Sequence, residues 1–231
     1  MDQKRFLITG GSQGIGGALV AQARAAGHRV VFTGRHADTV EGTASETGAY
    51  GVVADSSLDV ENQRTVETCQ REMGGVDVLV NNAATWYDAA IGELDMDGLR
   101  RLFSANVFGM VDLTNRVVPL MREQDEGDIV NISSTSGTKG RTLGTAYAGT
   151  KWAVRGITQC WQAELRPHNI RVVSICPSEV QTRWADRHGR NNPNKLFAED
   201  IAQTILAALA MPRRAFWPEL SVLATNPWKE D

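Results

Sequence analysis

The chain has 231 residues, of which 42% are hydrophobic and 22% charged, and its formal net charge is −3 at neutral pH. That length suits one large domain with a substantial core, and the composition is that of a globular protein. The mild acidity excludes a general electrostatic case for binding nucleic acid or an anionic membrane.

At the N-terminus, "MDQKRFLITGG" holds an apolar stretch too short for a signal peptide or a membrane span. Within it "RFLIT" (5–9) reads as a strand, followed by a glycine turn and a helix through "IGGALVAQARAAG". Further strand candidates follow at "HRVVFTG" (28–34), "YGVVAD" (50–55), "VDVLVNNA" (76–83), "GDIVNISS" (127–134) and "IRVVSICP" (170–177). Each is short, rich in β-branched residues and bounded by turn-formers. Helical patterns separate them, with long helices expected over 96–123 and 146–166, and "PELSVLATNPWKED" reads as a last edge strand with a tail. Strictly alternating strand and helix predict an α/β fold, a doubly wound parallel sheet in three α/β/α layers. No linker or repeat divides the chain, so residues 1–231 are read as one domain. Cys69, Cys160 and Cys176 lack C-x-x-C spacing, and His28, His36, His168 and His188 are scattered. Reduced thiols in a cytoplasmic protein are expected, with no metal site.

In such a sheet, ligands sit beyond the carboxyl ends of the strands. There the first turn reads "TGGSQGIG", with Gly10, Gly14 and Gly16 in a G-x3-G-x-G spacing that encloses Ser12, Gln13 and Ile15. Glycines allow a tight turn and close backbone approach, and free N–H groups at a helix start suit a pyrophosphate. The second strand ends in "VVFTGRH", with Arg35 where a NAD-specific site puts an acid. A planar cation suits a ribose 2′-phosphate that a carboxylate would repel, so NADP(H) is the expected cofactor.

Farther along, "TAYAGTKWAV" (145–154) places Tyr147 and Lys151 four residues apart. On a helix they share a face, with Cβ atoms about 5–6 Å apart. A cation that close favours the phenolate, which predicts a tyrosine pKa below its ordinary value of about 10. Such a phenol can give a proton in one direction of a reaction and take it in the other.

"TGGSQGIG", "NNAA" (81–84), the Asn in "SANVFG", "ISS" and "YAGTK", in this order and with Ser134 thirteen residues before Tyr147, make the chain resemble a short-chain dehydrogenase/reductase over nearly its full length. A softer resemblance, from the C-terminal half, is to bacterial NADP-dependent carbonyl, 3-ketoacyl or 3-hydroxy acid reductases. The resemblance implies a Rossmann-type fold and an enzyme interconverting a ketone or aldehyde and an alcohol by hydride transfer. It implies Tyr147 as general acid and base, Lys151 as the residue lowering its pKa and binding the nicotinamide ribose, and Ser134 as the holder of the substrate oxygen. Asn106 would support a water chain toward Lys151. For the cofactor, the resemblance adds Asp55 at the adenine, Asn81 near the adenosine ribose, Ala83, Pro177, and Val180 and Thr182 near the carboxamide and phosphates. Ser133 is an adjacent rival to Ser134, and spacing to Tyr147 favours the latter.

Two positions depart from the family pattern. Ala84 stands where glycine is usual in "NNAG", and Ser178 stands where glycine usually follows Pro177. Ser178 fits if its backbone keeps a negative φ. The polar stretch 181–200 is read as a substrate lid. Trp86, Tyr87 and Trp184 are candidate walls of the substrate cleft, with loop packing as the competing reading, and Trp152 is read as core or interface. Arg183, Arg187 and Arg190 could receive a carboxylate or an acyl carrier protein, a solvated face being the simpler account. The family commonly forms dimers or tetramers through the two long helices. A cofactor-binding sensor would use the same fold but is expected to lack the tyrosine or lysine. A sugar-nucleotide epimerase or dehydratase would need a larger C-terminal region.

Overall fold

The structure, a computed structural model, describes residues 2–182, 192 and 194–227. Six strands follow the sequence expectation: β1 (Arg5–Ile8), β2 (Arg29–Gly34), β3 (Tyr50–Val53), β4 (Val78–Asn81), β5 (Gly127–Ile132) and β6 (Ile170–Pro177). Two short strands, β7 (Val180–Gln181) and β8 (Leu196–Phe197), pair with each other, and β9 (Glu219–Val222) is the expected edge strand. The main sheet has the order β3-β2-β1-β4-β5-β6-β9, and every pairing in it is parallel. Its order reverses between β1 and β4, which opens a crevice at their carboxyl ends.

Helices α1 (Gly14–Ala25), α2 (Ala37–Thr47), α3 (Asp59–Met73), α4 (Met96–Phe103), α5 (Gly109–Glu123), α6 (Thr145–Leu165) and α7 (Ala198–Leu209) cover the sheet. Successive strand residues point to opposite faces, and the two cores follow this alternation. Phe6 and Ile8 pack with Leu19 and Val20 of α1 and Ile201 and Ile205 of α7. Leu7, between them, packs with Val66 and Cys69 of α3 and Leu113 and Val117 of α5. Each such apolar side chain stabilises the fold by about 1.5–3 kcal/mol. Strands β5 and β6 are buried along their whole length, as a central parallel sheet requires.

The helix expected over 96–123 is interrupted. Between α4 and α5 lies a π-helical turn, Ser104–Phe108, with Asn106 at its middle. A wider turn of this kind is common at functional sites. Here Gly109 lets the helix press on the chain after β3, since a Cβ there would lie 2.0 Å from the Ser56 carbonyl oxygen. The expected lid over 181–200 is anchored at both ends. Val180 and Gln181 pair with Leu196 and Phe197, α7 begins at Ala198, and the Gln181 side-chain oxygen accepts from Asn192 N at 2.9 Å. Trp184, Arg183, Arg187 and Arg190 lie outside the described residues.

Candidate active site

A cleft of about 1170 Å³ runs across the carboxyl ends of β2, β1, β4 and β5. One end is made by the first turn. Gly10 (φ +63°) and Gly14 (φ +55°) hold left-handed backbone that glycine alone adopts readily. A Cβ on Gly10 would lie 2.9 Å from Ala83 Cα, and one on Gly16 would lie 2.2 Å from the Gly10 carbonyl oxygen. Helix α1 opens here with no acidic residue in its first turn and no side-chain cap at Gln13. Its N–H groups and partial positive charge are thus left for an anion. Ser12, Gln13, Ile15 and Ala83 line the same surface, as do Val180 and Thr182. The exposed Arg35 stands just past β2, beside Asp55 and His36 in the cleft lining. These residues fit a dinucleotide: bare backbone for the pyrophosphate and a cation at the adenosine side.

At the other end, β5 leads into Ser133 and Ser134, and α6 brings Tyr147 and Lys151. The two serines divide the work. Ser133 is buried and donates to the Lys151 carbonyl oxygen at 3.1 Å, so it serves packing. Ser134 lines the cleft with Tyr147, and its Oγ accepts from Ser136 N at 3.1 Å. Lys151 is buried beneath, its Nζ 5.6 Å from the Tyr147 ring centre and donating to the Ile132 carbonyl oxygen at 2.8 Å.

The pair sits as the spacing predicts, but its electrostatics do not. Tyr147 is raised above the usual phenol range, not lowered: loss of solvent is the largest cause, the Ser134 hydroxyl and Arg141 pull it down, and Asp88 pushes it up. Burial likewise pushes Lys151 down to about 8, slightly offset by Cys176. Desolvation penalises both charged forms, and the ammonium is directed at a backbone carbonyl. The structure therefore favours a neutral phenol, the proton-donating form.

Asn106 is buried and fixes the loop after β4. Its Oδ1 accepts from Thr85 N at 2.7 Å, and its Nδ2 donates to the Thr85 carbonyl at 2.9 Å and to Thr150 Oγ1 at 3.2 Å. Asn106 and Lys151 share the wall of an internal void of about 10 Å³, roughly room for one water.

Asn81 departs from its expected place at the cleft surface. It is buried, and its Nδ2 donates to Asn131 Oδ1 at 2.8 Å and Thr114 Oγ1 at 3.1 Å. It is paired in register with Asn131, so a polar link between β4 and β5 takes up its Nδ2, while its buried Oδ1 has no partner among the described residues; Asn82 and Ala83 reach the cleft. Gly16 and Pro177 also lie behind the surface, as packing residues of α1 and β6. Asp55 lines the cleft while its Oδ1 accepts from Ser57 N at 2.9 Å and Ser57 Oγ at 2.8 Å, so the turn-forming role is present as well.

Neither departure from the glycine pattern strains the backbone: among described residues the non-glycine positive φ angles are at Asp125, Leu143 and Asn169, not at Ala84 or Ser178. Trp86 lines the cleft and is 44% exposed. Tyr87 does not line it; its hydroxyl accepts from Asp95 N at 2.9 Å and supports the start of α4. Trp152 is exposed beside Arg155 and is not core. Sequence reading missed Arg141 and Asp88, whose ion pair closes at 2.5 Å in the cleft wall; they are distant in sequence and no spacing links them.

The family model for short chain dehydrogenases matches residues 4–193. An oxidoreductase of Staphylococcus aureus is 30% identical over 226 residues, covering 96% of this chain and 97% of that protein. A solved short-chain dehydrogenase from Streptomyces avermitilis superposes with a TM-score of 0.87 at 26% identity, over 96% of this chain and 89% of its own. The closed form of a serine dehydrogenase complexed with NADP+ gives 0.89 at 24% identity, over 95% and 94%. The chain belongs to the short-chain dehydrogenase family, and it is an oxidoreductase with that family's Rossmann fold.

Proposed function

We propose that the protein is an NADP(H)-dependent oxidoreductase interconverting a ketone or aldehyde and an alcohol. The observation that carries this is the convergence of Ser134 and Tyr147 at one end of a single cleft whose other end is the glycine turn with Arg35. When bound, the dinucleotide supplies or takes the hydride. Ser134 holds the carbonyl oxygen and Tyr147, neutral in this setting, gives it a proton; in the reverse direction Tyr147 takes the proton from the alcohol. Lys151 lies under the phenol and supports the proton's return, with Asn106 holding the void beside it. The glycine turn, with Ser12, Gln13, Ile15, Asp55, Ala83, Val180 and Thr182, binds the dinucleotide, and Arg35 selects its 2′-phosphate. A neighbour of the same fold is an NADP+ complex, which agrees with this preference.

NADPH and NADH consumption over a panel of ketones, ketoacyl thioesters, keto acids and cyclic diketones tests the reading. Turnover with NADPH is expected. Binding of NADPH without turnover of any carbonyl would favour a sensor and overturn the assignment.

The stretch 181–200 acts as the substrate lid. The protein assembles as a homodimer or homotetramer in the cytoplasm, and exposed Phe108 and Trp152 on the two long helical segments supply apolar surface for such contacts. Sedimentation of the purified protein tests the assembly.

A further inference from the structure

Two arginines stand among the described residues of the cleft wall, and they lie apart. Arg35 follows β2 at the glycine-turn end. Arg141 lies between β5 and α6, at the end occupied by Ser134, Tyr147 and Trp86. Strands β2 and β5 are three positions apart in the sheet, or roughly 14 Å at about 4.8 Å per strand. One dinucleotide phosphate cluster therefore does not account for both.

Arg141 is held as a recognition arginine is held. Its Nη2 meets both oxygens of Asp88, at 2.7 and 2.5 Å, and its Nη1 donates to the Thr142 carbonyl at 3.3 Å. The pair is asymmetric: the Asp88 side chain is 12% exposed and the Arg141 side chain 39%. The carboxylate is thus set back in the wall and the guanidinium faces outward. Gly144 leaves room for the arginine stem, since a Cβ there would lie 2.8 Å from Arg141 Cγ. A second tie, Ala89 N to the Leu143 carbonyl at 3.2 Å, joins the same two loops. Among described residues, Nε and the remaining Nη1 hydrogen have no partner. The phenol feels the same polarity: Arg141 pulls Tyr147 toward the phenolate more than Asp88 pushes it away. A guanidinium fixed from behind, with its other donors unpartnered among the described residues, suits a planar carboxylate. The charge already balanced by Asp88 makes a monoanion a better match than a phosphate dianion.

Resting on the proposed carbonyl–alcohol chemistry, we propose that Arg141, clamped by Asp88, is the specificity-determining residue of the substrate pocket. It receives a carboxylate, so that the preferred substrates are keto acids and the corresponding hydroxy acids.

The test uses the full chain with saturating NADPH and oxo acids of increasing length, each paired with its methyl ester and with a phosphorylated ketone. The wild type is expected to prefer an acid over its ester by at least about tenfold in kcat/KM. Arg141→Gln should raise KM for the acid by ~10–100-fold, the range of a lost hydrogen bond to a charged group. Its loss on the acid should exceed that on the ester by tenfold or more, with kcat little changed. Arg141→Lys should recover part of the acid preference. A non-reactive short carboxylate should compete with the substrate in the wild type and not in Arg141→Gln, a readout that remains usable if turnover is slow. If Arg141→Gln fails to fold, Arg141→Lys and Asp88→Asn take its place, and both should weaken the acid selectively. Equal losses on acid and ester would reduce the ion pair to a loop tie and overturn the proposal. So would a wild type that favours the phosphorylated ketone with the same dependence on Arg141. Neutral ketones turned over without an acid preference would overturn the carboxylate assignment alone; no turnover of any carbonyl, with NADPH binding intact, would overturn the underlying reading too.

Discussion

Beyond β1 the cleft wall is built on a glycine turn; beyond β4 and β5 it is built on two longer loops. The first end turns on Gly10 and Gly14 at positive φ and on Gly10 and Gly16, where a Cβ would fall within 3 Å of neighbouring backbone, and it continues into α1, whose Gly16, Leu19, Val20 and Ala23 are buried. The second end stands on two loops tied by Asp88–Arg141 and by Ala89–Leu143, and Leu143 keeps φ +61° although it is not glycine. It exposes Trp86, Leu143 and Ile91 to solvent. On the proposed reading the constant dinucleotide meets a turn fixed by its glycines, and the variable substrate meets loops, where exchange of side chains costs the scaffold little. Tyr147 and Lys151 stand at the junction, on a helix and not a loop, which gives the proposed proton transfer a fixed geometry.

Substitutions at the two ends should therefore separate binding from chemistry. The largest effect is expected from Tyr147→Phe. Turnover should fall by ~10²–10⁴-fold or more, the range for a lost general acid, while NADPH affinity measured by fluorescence stays near wild type. Retained kcat would remove Tyr147 from the reaction. Next in size is Gly16→Ala, whose Cβ would meet the Gly10 carbonyl oxygen at 2.2 Å. A loss of dinucleotide affinity and a stability decrease of roughly 1–3 kcal/mol, as for overpacking, should appear together in titration and thermal unfolding. Normal affinity in that variant would mean the turn is looser than its contacts indicate. Arg35→Ser should lower kcat/KM for NADPH by ~10–100-fold and leave that for NADH nearly unchanged. An equal loss with both cofactors would place Arg35 elsewhere than at the 2′-phosphate.

A last effect, read in stability and not in turnover, is a pH dependence at the junction. Below pH 8 the folded chain must carry a buried ammonium at Lys151, because burial lowers its pKa from 10.5 to about 8. Between 8 and 10.5 the folded state releases a proton that the unfolded state keeps, so this group's contribution to stability rises with pH across that window. Lys151→Met removes the titration. Its stability relative to wild type should decline from pH 7 to pH 10, by up to about 3 kcal/mol, in denaturant unfolding at each pH. A constant difference would mean that Lys151 is better solvated than its position implies.

Much of this could be read from local patterns. Six strands, the glycine turn, the edge strand and the Tyr147–Lys151 pair were legible because each depends on residues close in the chain: alternation, turn chemistry, or four-residue helical spacing. Ser134 was preferred to Ser133 on spacing; in the structure Ser134 lines the cleft, and Ser133 donates to the Lys151 carbonyl. The π-turn at Ser104–Phe108 was not legible, because it answers to Ser56 and Thr85 in distant segments. Asn81 was placed at the cleft by resemblance, whereas it is buried and its Nδ2 is bound to Asn131 on the adjoining strand. Tyr87, read from its place after the fourth strand as a pocket wall or as loop packing, takes the packing role beside Asp95.

Sequence alone thus determined the family, the parallel α/β order and the placement of Tyr147 and Lys151 on one helix face, since those rest on short-range spacing and backbone preference. Tertiary structure decided which way the protons of Tyr147 and Lys151 lean and which charged side chain lines the cleft beside them. Desolvation, and the pairing of Arg141 with Asp88 across 53 residues of sequence, exist only once distant segments are packed together.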